Sequence, residues 1–241
     1  MTNVLVLGAS GATGRLLVYA LLNRGCSVTA IVRASSSMRS LFAGASRYHE
    51  VAASISELDE TAFGEHLAGC HAALSCLGHN LTFKGVFGEP RDLVSGAMEK
   101  LIRAIEKQNC DHKTKIILMN TSGNSNRDIP EHPPLSQRLV ISLVRMLLPP
   151  HGDNERAADI LRQLVGQNHH AIEWTAVRPG GLVDHSEVTE YEVFPSPDRN
   201  VIFNDGSASR INVADFMARL VVEPELWSKW KGRMPVLYNS A

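Results

Sequence analysis

Three glycines, each separated from the next by two residues, follow a short apolar segment near the amino terminus. The segment Val4 to Leu7 has the pattern of a β-strand, and the chain from Arg15 onwards has the pattern of a helix. In such a unit Gly8 permits a tight exit from the strand, Gly11 leaves room for an anion against backbone N–H groups, and Gly14 lets the helix pack against the sheet. The helix amino terminus then faces the anion. The spacing therefore predicts a site for the pyrophosphate of a dinucleotide.

The rest of the chain alternates short β-branched segments with longer helical patterns. Because strand–helix–strand crossovers are right-handed and lay helices over a sheet, the alternation indicates a parallel sheet covered on both sides. We therefore expect a Rossmann-type doubly wound α/β fold with a mostly parallel sheet, as one NAD(P)-binding domain over residues 1–241. The predicted strands are Val4–Leu7, Ser27–Val32, Tyr48–Ala52, Ala72–Cys76, Lys115–Asn120 and Ile172–Val177, and the predicted helices are Arg15–Asn23, Ser56–Leu67, Asp92–Gln108 and Asn154–Val165.

Composition and missing motifs exclude several classes of function. The formal net charge is -1 and aromatic residues make up 6%, which argues against nucleic-acid binding. No apolar stretch approaches the roughly 18 residues that cross a bilayer, and a signal-peptide pattern is missing from the amino terminus. The four cysteines are far apart, and His169–His170 has the character of a solvated turn rather than a metal site. No GxSxG, HExxH or Walker motif occurs. We expect a cytoplasmic protein with a small-molecule substrate and without metal, nucleic-acid or membrane binding.

The end of the second predicted strand carries a positive charge where many dinucleotide sites carry an acid. Asp or Glu there accepts a hydrogen bond from the adenine ribose 2′-hydroxyl, whereas this chain has Arg33 and, after several serines, Arg39. Arginine is suited to bidentate phosphate binding, and the first acidic residue of the chain is Glu50. The pattern favours NADP, with NAD still open. The alternative is that Arg33 is an exposed charge at a strand end.

Two irregular stretches follow predicted strands. Residues 122–134 are rich in Ser, Asn, Asp and Pro, and residues 184–198 contain Pro195 and Pro197. Ligands of open α/β sheets bind outside the carboxyl ends of the strands. We therefore expect these stretches to line the substrate side, the alternative being surface connections.

Six segments together carry a family resemblance that covers most of the chain. They are Gly8–Gly14, Val32–Arg33, Ala73–Gly78, Thr121–Gly123, Trp174–Leu182 and Ser209–Asp215. The chain resembles the atypical short-chain dehydrogenase/reductases, in particular the NAD(P)H-binding group that includes NmrA-like and flavin-reductase-like proteins. The resemblance implies NADP (NADPH) as cofactor. It places Ser10, Gly11, Ala12 and Thr13 at the pyrophosphate, Arg33 at the ribose phosphate, Leu77 and Gly78 at the ribose, and Thr121, Ser122, Pro179, Gly180 and Gly181 near the nicotinamide.

One departure from that superfamily bears on catalysis. Members that move a proton usually use a Tyr-x-x-x-Lys pair, in which the lysine and the cofactor lower the pKa of the tyrosine. None of the four tyrosines here is followed by lysine four residues later, and no lysine occurs between Lys115 and Lys229. The corresponding region contains His151, Asp153 and Glu155.

Three interpretations of this departure remain open. Hydride transfer to a flavin, quinone or carbonyl can proceed with only the cofactor and a positioned acceptor, as in flavin-reductase-like proteins. Alternatively, His151 with Asp153 or Glu155 supplies acid/base catalysis while Ser122 orients the substrate. Finally, the protein binds NADP without turnover, as a redox sensor of the NmrA-like type.

Several of these residues also have structural interpretations. His151 is then a loop or helix-start residue with Asp153 as a helix cap, and Ser122 terminates a strand. His79 and Asn80 either reach the nicotinamide ribose or end the fourth strand. The apolar residues 135–148 form either a core-facing helix or a partner surface, so a homodimer stays open.

Overall fold

The computed structural model describes residues 1–78, 91–108, 110–131, 149–199 and 206–240, and within these ranges it has ten strands and six α-helices. The strands are β1 (Asn3–Leu7), β2 (Ser27–Val32), β3 (Tyr48–Ala52), β4 (Ala72–Ser75), β5 (Thr114–Met119), β6 (Ile172–Pro179), β7 (Gly181–Val183), β8 (Tyr191–Phe194), β9 (Ser207–Ser209) and β10 (Val236–Asn239). The helices are α1 (Ala12–Asn23), α2 (Glu60–Leu67), α3 (Leu93–Glu106), α4 (Pro149–Ile160), α5 (Arg210–Val222) and α6 (Pro224–Trp230).

Eight strands form one sheet in the order β3-β2-β1-β4-β5-β6-β10-β8, and β7 pairs with β9 separately. Every pair in the large sheet is parallel except β10 with β8. The first six strands follow the 3-2-1-4-5-6 order of dinucleotide-binding sheets, which reverses between β1 and β4. The prediction of a Rossmann-type α/β fold is confirmed.

Two apolar clusters cover the two faces of the sheet. Helices α1, α5 and α6 bury residues such as Leu17, Phe216 and Trp230 on one face, whereas α2, α3 and α4 bury residues such as Phe63 and Met98 on the other. Each helix turns one apolar side to the sheet, because residues three or four apart share a face of the helix. The strand order and the right-handed crossovers divide the helices between the two faces of the sheet. The carboxyl edge of the sheet is thereby left to the loops.

Among the predicted segments, the structure differs most at the starts of α4 and α2 and in one loop. Among the described residues, α4 runs from Pro149 rather than from Asn154, and proline fits an early helical position because it needs no N–H partner there. A π-helix, Leu161–Val165, continues α4. Helix α2 starts at Glu60 rather than Ser56, because Asp59 caps it by accepting a hydrogen bond from the N–H of Ala62.

The expectation that residues 184–198 are irregular is wrong for β8. Three of its four residues, Tyr191, Val193 and Phe194, favour a strand, and the segment pairs antiparallel with β10 at the edge of the sheet. His79, Asn80 and residues 135–148 lie outside the described ranges. Among the helices within those ranges, none is long and apolar enough to cross a membrane.

Candidate functional site

The glycine loop between β1 and α1 is shaped by close backbone contacts. Gly8 has a φ of 71°, and a Cβ there would lie 2.7 Å from the carbonyl carbon and oxygen of Cys76, at the end of β4. A Cβ on Gly14 would lie 2.2 Å from the carbonyl oxygen of Gly8. The prediction of a tight exit at Gly8 is therefore confirmed. Gly14, however, packs against the backbone of its own loop rather than against the sheet.

The amino terminus of α1 is open toward the carboxyl edge of the sheet. Gly11 occupies the N-cap position without a capping side chain, and the first turn contains no acidic residue. Gly11 and Ala12 are exposed, Ser10 is half-buried and Thr13 is buried. A helix start of this kind provides N–H donors and the positive end of the helix dipole for an anion. These residues suit the pyrophosphate of a dinucleotide.

The segment after β2 carries Arg33 and Arg39, the two arginines that the sequence predicts at the ribose phosphate. Arg33 directly follows the strand and is exposed. Arg39 is also exposed, but its Nε lies 3.5 Å from Oε1 of the buried carboxylate of Glu50. Within the described ranges, no carboxylate forms an ion pair with Arg33, whereas Arg39 already has one.

Glu50 anchors this segment from β3. Its carboxylate accepts hydrogen bonds from Ser37 Oγ at 2.6 Å, from the N–H of Met38 at 2.8 Å and from Tyr48 Oη at 2.7 Å. Burial alone would raise the pKa of Glu50, but these hydrogen bonds and Arg39 outweigh it, so the pKa lies below its ordinary value. Burial and the hydrogen bond that Tyr48 donates to Glu50 raise the pKa of Tyr48.

We expect Glu50→Gln to lower the free energy of unfolding at neutral pH by about 1–3 kcal/mol, because the amide loses charge-assisted hydrogen bonds. Since the pKa is lower in the folded chain, the carboxylate stabilises the fold above the ordinary value of 4.5 and stops doing so as the pH falls through the folded pKa. Urea unfolding of both proteins between pH 7 and pH 3 measures this. The difference should shrink on acidification, and a constant difference would contradict the explanation.

The remaining residues that the sequence predicts at the cofactor lie at the ends of β4, β5 and β6. Leu77 is buried and Gly78 is exposed just after β4, where Leu77 meets Gly8. The N–H of Ser122 donates to the carbonyl of Pro179 at 3.0 Å, and the N–H of Gly180 donates to Leu237. The predicted residues thus share one edge of the sheet. Ser122 is only 3% exposed, whereas Thr121 is half-buried.

His151 lies in the first turn of α4, beside the loop after β5. A Cβ on Gly123 would lie 3.5 Å from Cε1 of His151 and 3.8 Å from Oγ1 of Thr121. Nε2 of His151 is buried and makes no hydrogen bond within the described part of the chain, although Oε1 of Glu155 lies 3.3 Å away. We interpret the pair as close but misaligned, as apo catalytic pairs often are.

Asp153 has a different task. Its carboxylate is fully buried and accepts hydrogen bonds from the N–H groups of Val94 at 2.8 Å and Ser95 at 3.1 Å. It therefore caps α3, whose own N-cap residue Asp92 makes no side-chain cap. The interpretation that Asp153 caps the helix that follows it in the sequence is wrong, because Asp153 lies within that helix and caps α3 instead. Of the two acids suggested as partners for His151, Glu155 is the one beside it.

Sequence reasoning missed two groups that hold the site together. The side-chain amide of Asn120 donates to the carbonyl of Asn154 at 2.8 Å and ties the end of β5 to α4. Arg178 is fully buried in β6, and its guanidinium makes five hydrogen bonds to described residues, two of them to Glu131 at 2.7 and 3.1 Å. A charged residue within an apolar strand was a signal for Arg178, whereas nothing in the sequence indicates Glu131.

The family model described as NAD(P)H-binding matches residues 8–224, which is most of the chain. No curated protein matches the sequence.

Several solved structures resemble this fold along its whole length. A protein from Bacillus halodurans titled as an NAD-dependent epimerase/dehydratase has a TM-score of 0.70 and 22% identity, covering 100% of this chain and 95% of the other. A wide-type short-chain dehydrogenase/reductase from Veillonella parvula, in complex with NADP, has a TM-score of 0.71 and 14% identity over 100% and 95%. An anaerobilin reductase from Escherichia coli O157:H7 has a TM-score of 0.68 and 15% identity over 99% and 97%. At these identities the similarity shows the fold.

Proposed function

The chain belongs to the NAD(P)H-binding family, and from this premise we propose that it is an NADPH-dependent reductase of a small oxidised acceptor, such as a flavin, a quinone or a carbonyl compound. The observation that carries the proposal is the exposed Arg33 directly after β2, at the same edge of the sheet as the open start of α1. A phosphate on the adenine ribose 2′-position would satisfy this charge. The solved structures named for a reductase and for an NADP complex support the same class.

We propose that the hydride is transferred in the space beside Gly123, between Thr121 and His151. When bound, the nicotinamide supplies a hydride to the acceptor. Pro179 and Gly180 border its position, and the Thr121 hydroxyl orients the acceptor because it is more exposed than that of Ser122. His151 donates the proton, and Glu155, whose Oε1 lies 3.3 Å from Nε2, hydrogen-bonds to the imidazole once the two side chains align around a bound acceptor. In this proposal Ser122 acts through its backbone, by joining the ends of β5 and β6.

A second candidate is a non-catalytic NADP sensor. The missing Tyr-x-x-x-Lys pair favours it, because the usual proton donor of the superfamily is absent from the sequence. A sensor needs only that NADPH and NADP⁺ bind with different affinities to two conformations.

The deciding experiment is a fluorescence titration with NADPH and NADH, followed by addition of flavins, quinones and carbonyl compounds while the absorbance of the reduced nicotinamide is recorded. Preferential NADPH binding with consumption by one acceptor class is the expected result. Tight binding without consumption across the acceptors would favour the sensor. Failure to bind either nucleotide would overturn both candidates.

We expect Arg33→Asp to raise the dissociation constant of NADPH about 10- to 100-fold, because the variant replaces a charge-assisted hydrogen bond with repulsion. The dissociation constant of NADH should change little, since an acid at this position can accept from the ribose 2′-hydroxyl. Arg47→Asp is the matched control, because Arg47 is an exposed arginine just before β3. It lies at the amino ends of the strands, whereas Arg33 lies at their carboxyl ends. Equal losses for both nucleotides would contradict the phosphate assignment.

A further inference from the structure

One side of α1 faces the segment that follows β2. Tyr19, in the middle of the helix, donates from its hydroxyl to the carbonyl of Leu41 at 3.3 Å. Its ring lies 4.5 Å, centroid to centroid, from that of Phe42, which in turn lies 4.5 Å from Tyr48 of β3. This side of α1 is therefore directed toward the connection between β2 and β3.

Arg15 lies four residues before Tyr19, so the two share that side of the helix, one turn apart. The turn of Arg15 is the one nearer the glycine loop, at the carboxyl edge of the sheet. Arg33 begins the same connection at that edge, directly after β2. The topology therefore brings Arg15 and Arg33 to two sides of one exposed corner.

The partners of the other arginines single out this pair. The first 50 residues contain five arginines. Arg24 pairs with Asp215, Arg39 with Glu50, and Arg47 donates to the carbonyl of Leu22. Arg15 and Arg33 are exposed, and neither pairs with a carboxylate anywhere in the ranges that the structure describes.

We propose that Arg15 is a second specificity residue, which binds the 2′-phosphate of NADPH together with Arg33. This inference rests on the proposed preference for NADPH. A phosphate dianion has more acceptor sites than one guanidinium can fill, and the two exposed arginines would approach it from α1 and from the end of β2. Arg39, whose charge is shared with Glu50, then contributes less than Arg15.

The test measures the dissociation constants of NADPH and NADH for the wild-type protein and for the variants Arg15→Gln, Arg33→Gln and Arg39→Gln. We expect Arg15→Gln to weaken NADPH binding about tenfold and NADH binding less than about twofold, with a smaller effect for Arg39→Gln. NADH serves as an internal check on folding, because it shares every group of NADPH except the phosphate. Arg15→Lys, which keeps the charge, should retain part of the preference, and Arg47→Gln should keep all of it.

The outcomes separate the inference from the function on which it rests. A wild-type protein that binds NADPH preferentially, with Arg33→Gln impaired and Arg15→Gln unchanged, would overturn the role of Arg15 alone. Equal weakening of NADPH and NADH in Arg15→Gln would also overturn it, because Arg15 would then serve the pyrophosphate or the fold. A wild-type protein without preference for NADPH would overturn the assignments of both arginines.

Discussion

Turnover of the reductase should fall by about two to four orders of magnitude when His151 is replaced by alanine, while the dissociation constant of NADPH stays the same. The magnitude is that of a lost general acid. NADPH binding should be unaffected because the imidazole lies in the first turn of α4, beside Gly123 and Glu155, and not in the glycine loop. Steady-state kinetics and a parallel NADPH titration measure the two quantities.

Three controls distinguish a proton donor from a packing residue. Added imidazole should restore part of the turnover of His151→Ala, because it can enter the space of the lost side chain. Glu155→Gln should reduce turnover to a smaller extent than His151→Ala. Asp153→Asn should lower stability rather than impair proton transfer, because Asp153 caps α3. Unchanged turnover in His151→Ala would return His151 to a structural role and leave proton delivery to water.

The second large effect concerns the buried ion pair between Arg178 and Glu131. Arg178→Met should lower the free energy of unfolding by about 3–5 kcal/mol, because it leaves a buried carboxylate without its cation. For a chain of this size that corresponds to a fall in Tm of about 6–20 °C. Thermal and urea unfolding measure both quantities.

A double-mutant cycle tests whether the pair itself is responsible. Arg178→Met with Glu131→Met should be less destabilised than the sum of the two single variants, by about 1–3 kcal/mol. Full recovery is not expected, since Arg178 also donates to the carbonyls of Met234 and Asn124. Strict additivity would show that the loss comes from those carbonyl contacts and not from the ion pair.

The sequence predicts those parts of the fold whose conformation depends on residues close together in the chain. The glycine spacing places β1, α1 and their loop, because the backbone conformation of Gly8 and the contact at Gly14 are local requirements. Five of the first six strands contain β-branched residues between turn residues, whereas β4 has none and is recognised only as a short apolar segment between two helical patterns. In contrast, β8 and β10 have four residues each and gain their identity from pairing with each other, which periodicity does not reveal.

The contacts that organise the site join residues far apart in the sequence. Asp153 reaches Val94, 59 positions earlier, and Arg178 reaches Glu131, 47 positions earlier. A carboxylate near a helix start is indistinguishable, in sequence, from a cap of its own helix. The nucleotide end of the site is therefore predictable from motifs, whereas the arrangement around His151 needs the fold.

The cap that Asp153 places on α3 also limits how the protein can move. Asp153 follows His151 by two residues on the same helix turn, so the start of α4 is fixed to the start of α3 through a fully buried carboxylate. A displacement of the start of α4 alone would pull that carboxylate away from the N–H groups of Val94 and Ser95. We therefore expect a backbone movement of α4 that brings the imidazole toward an acceptor to carry the start of α3 with it.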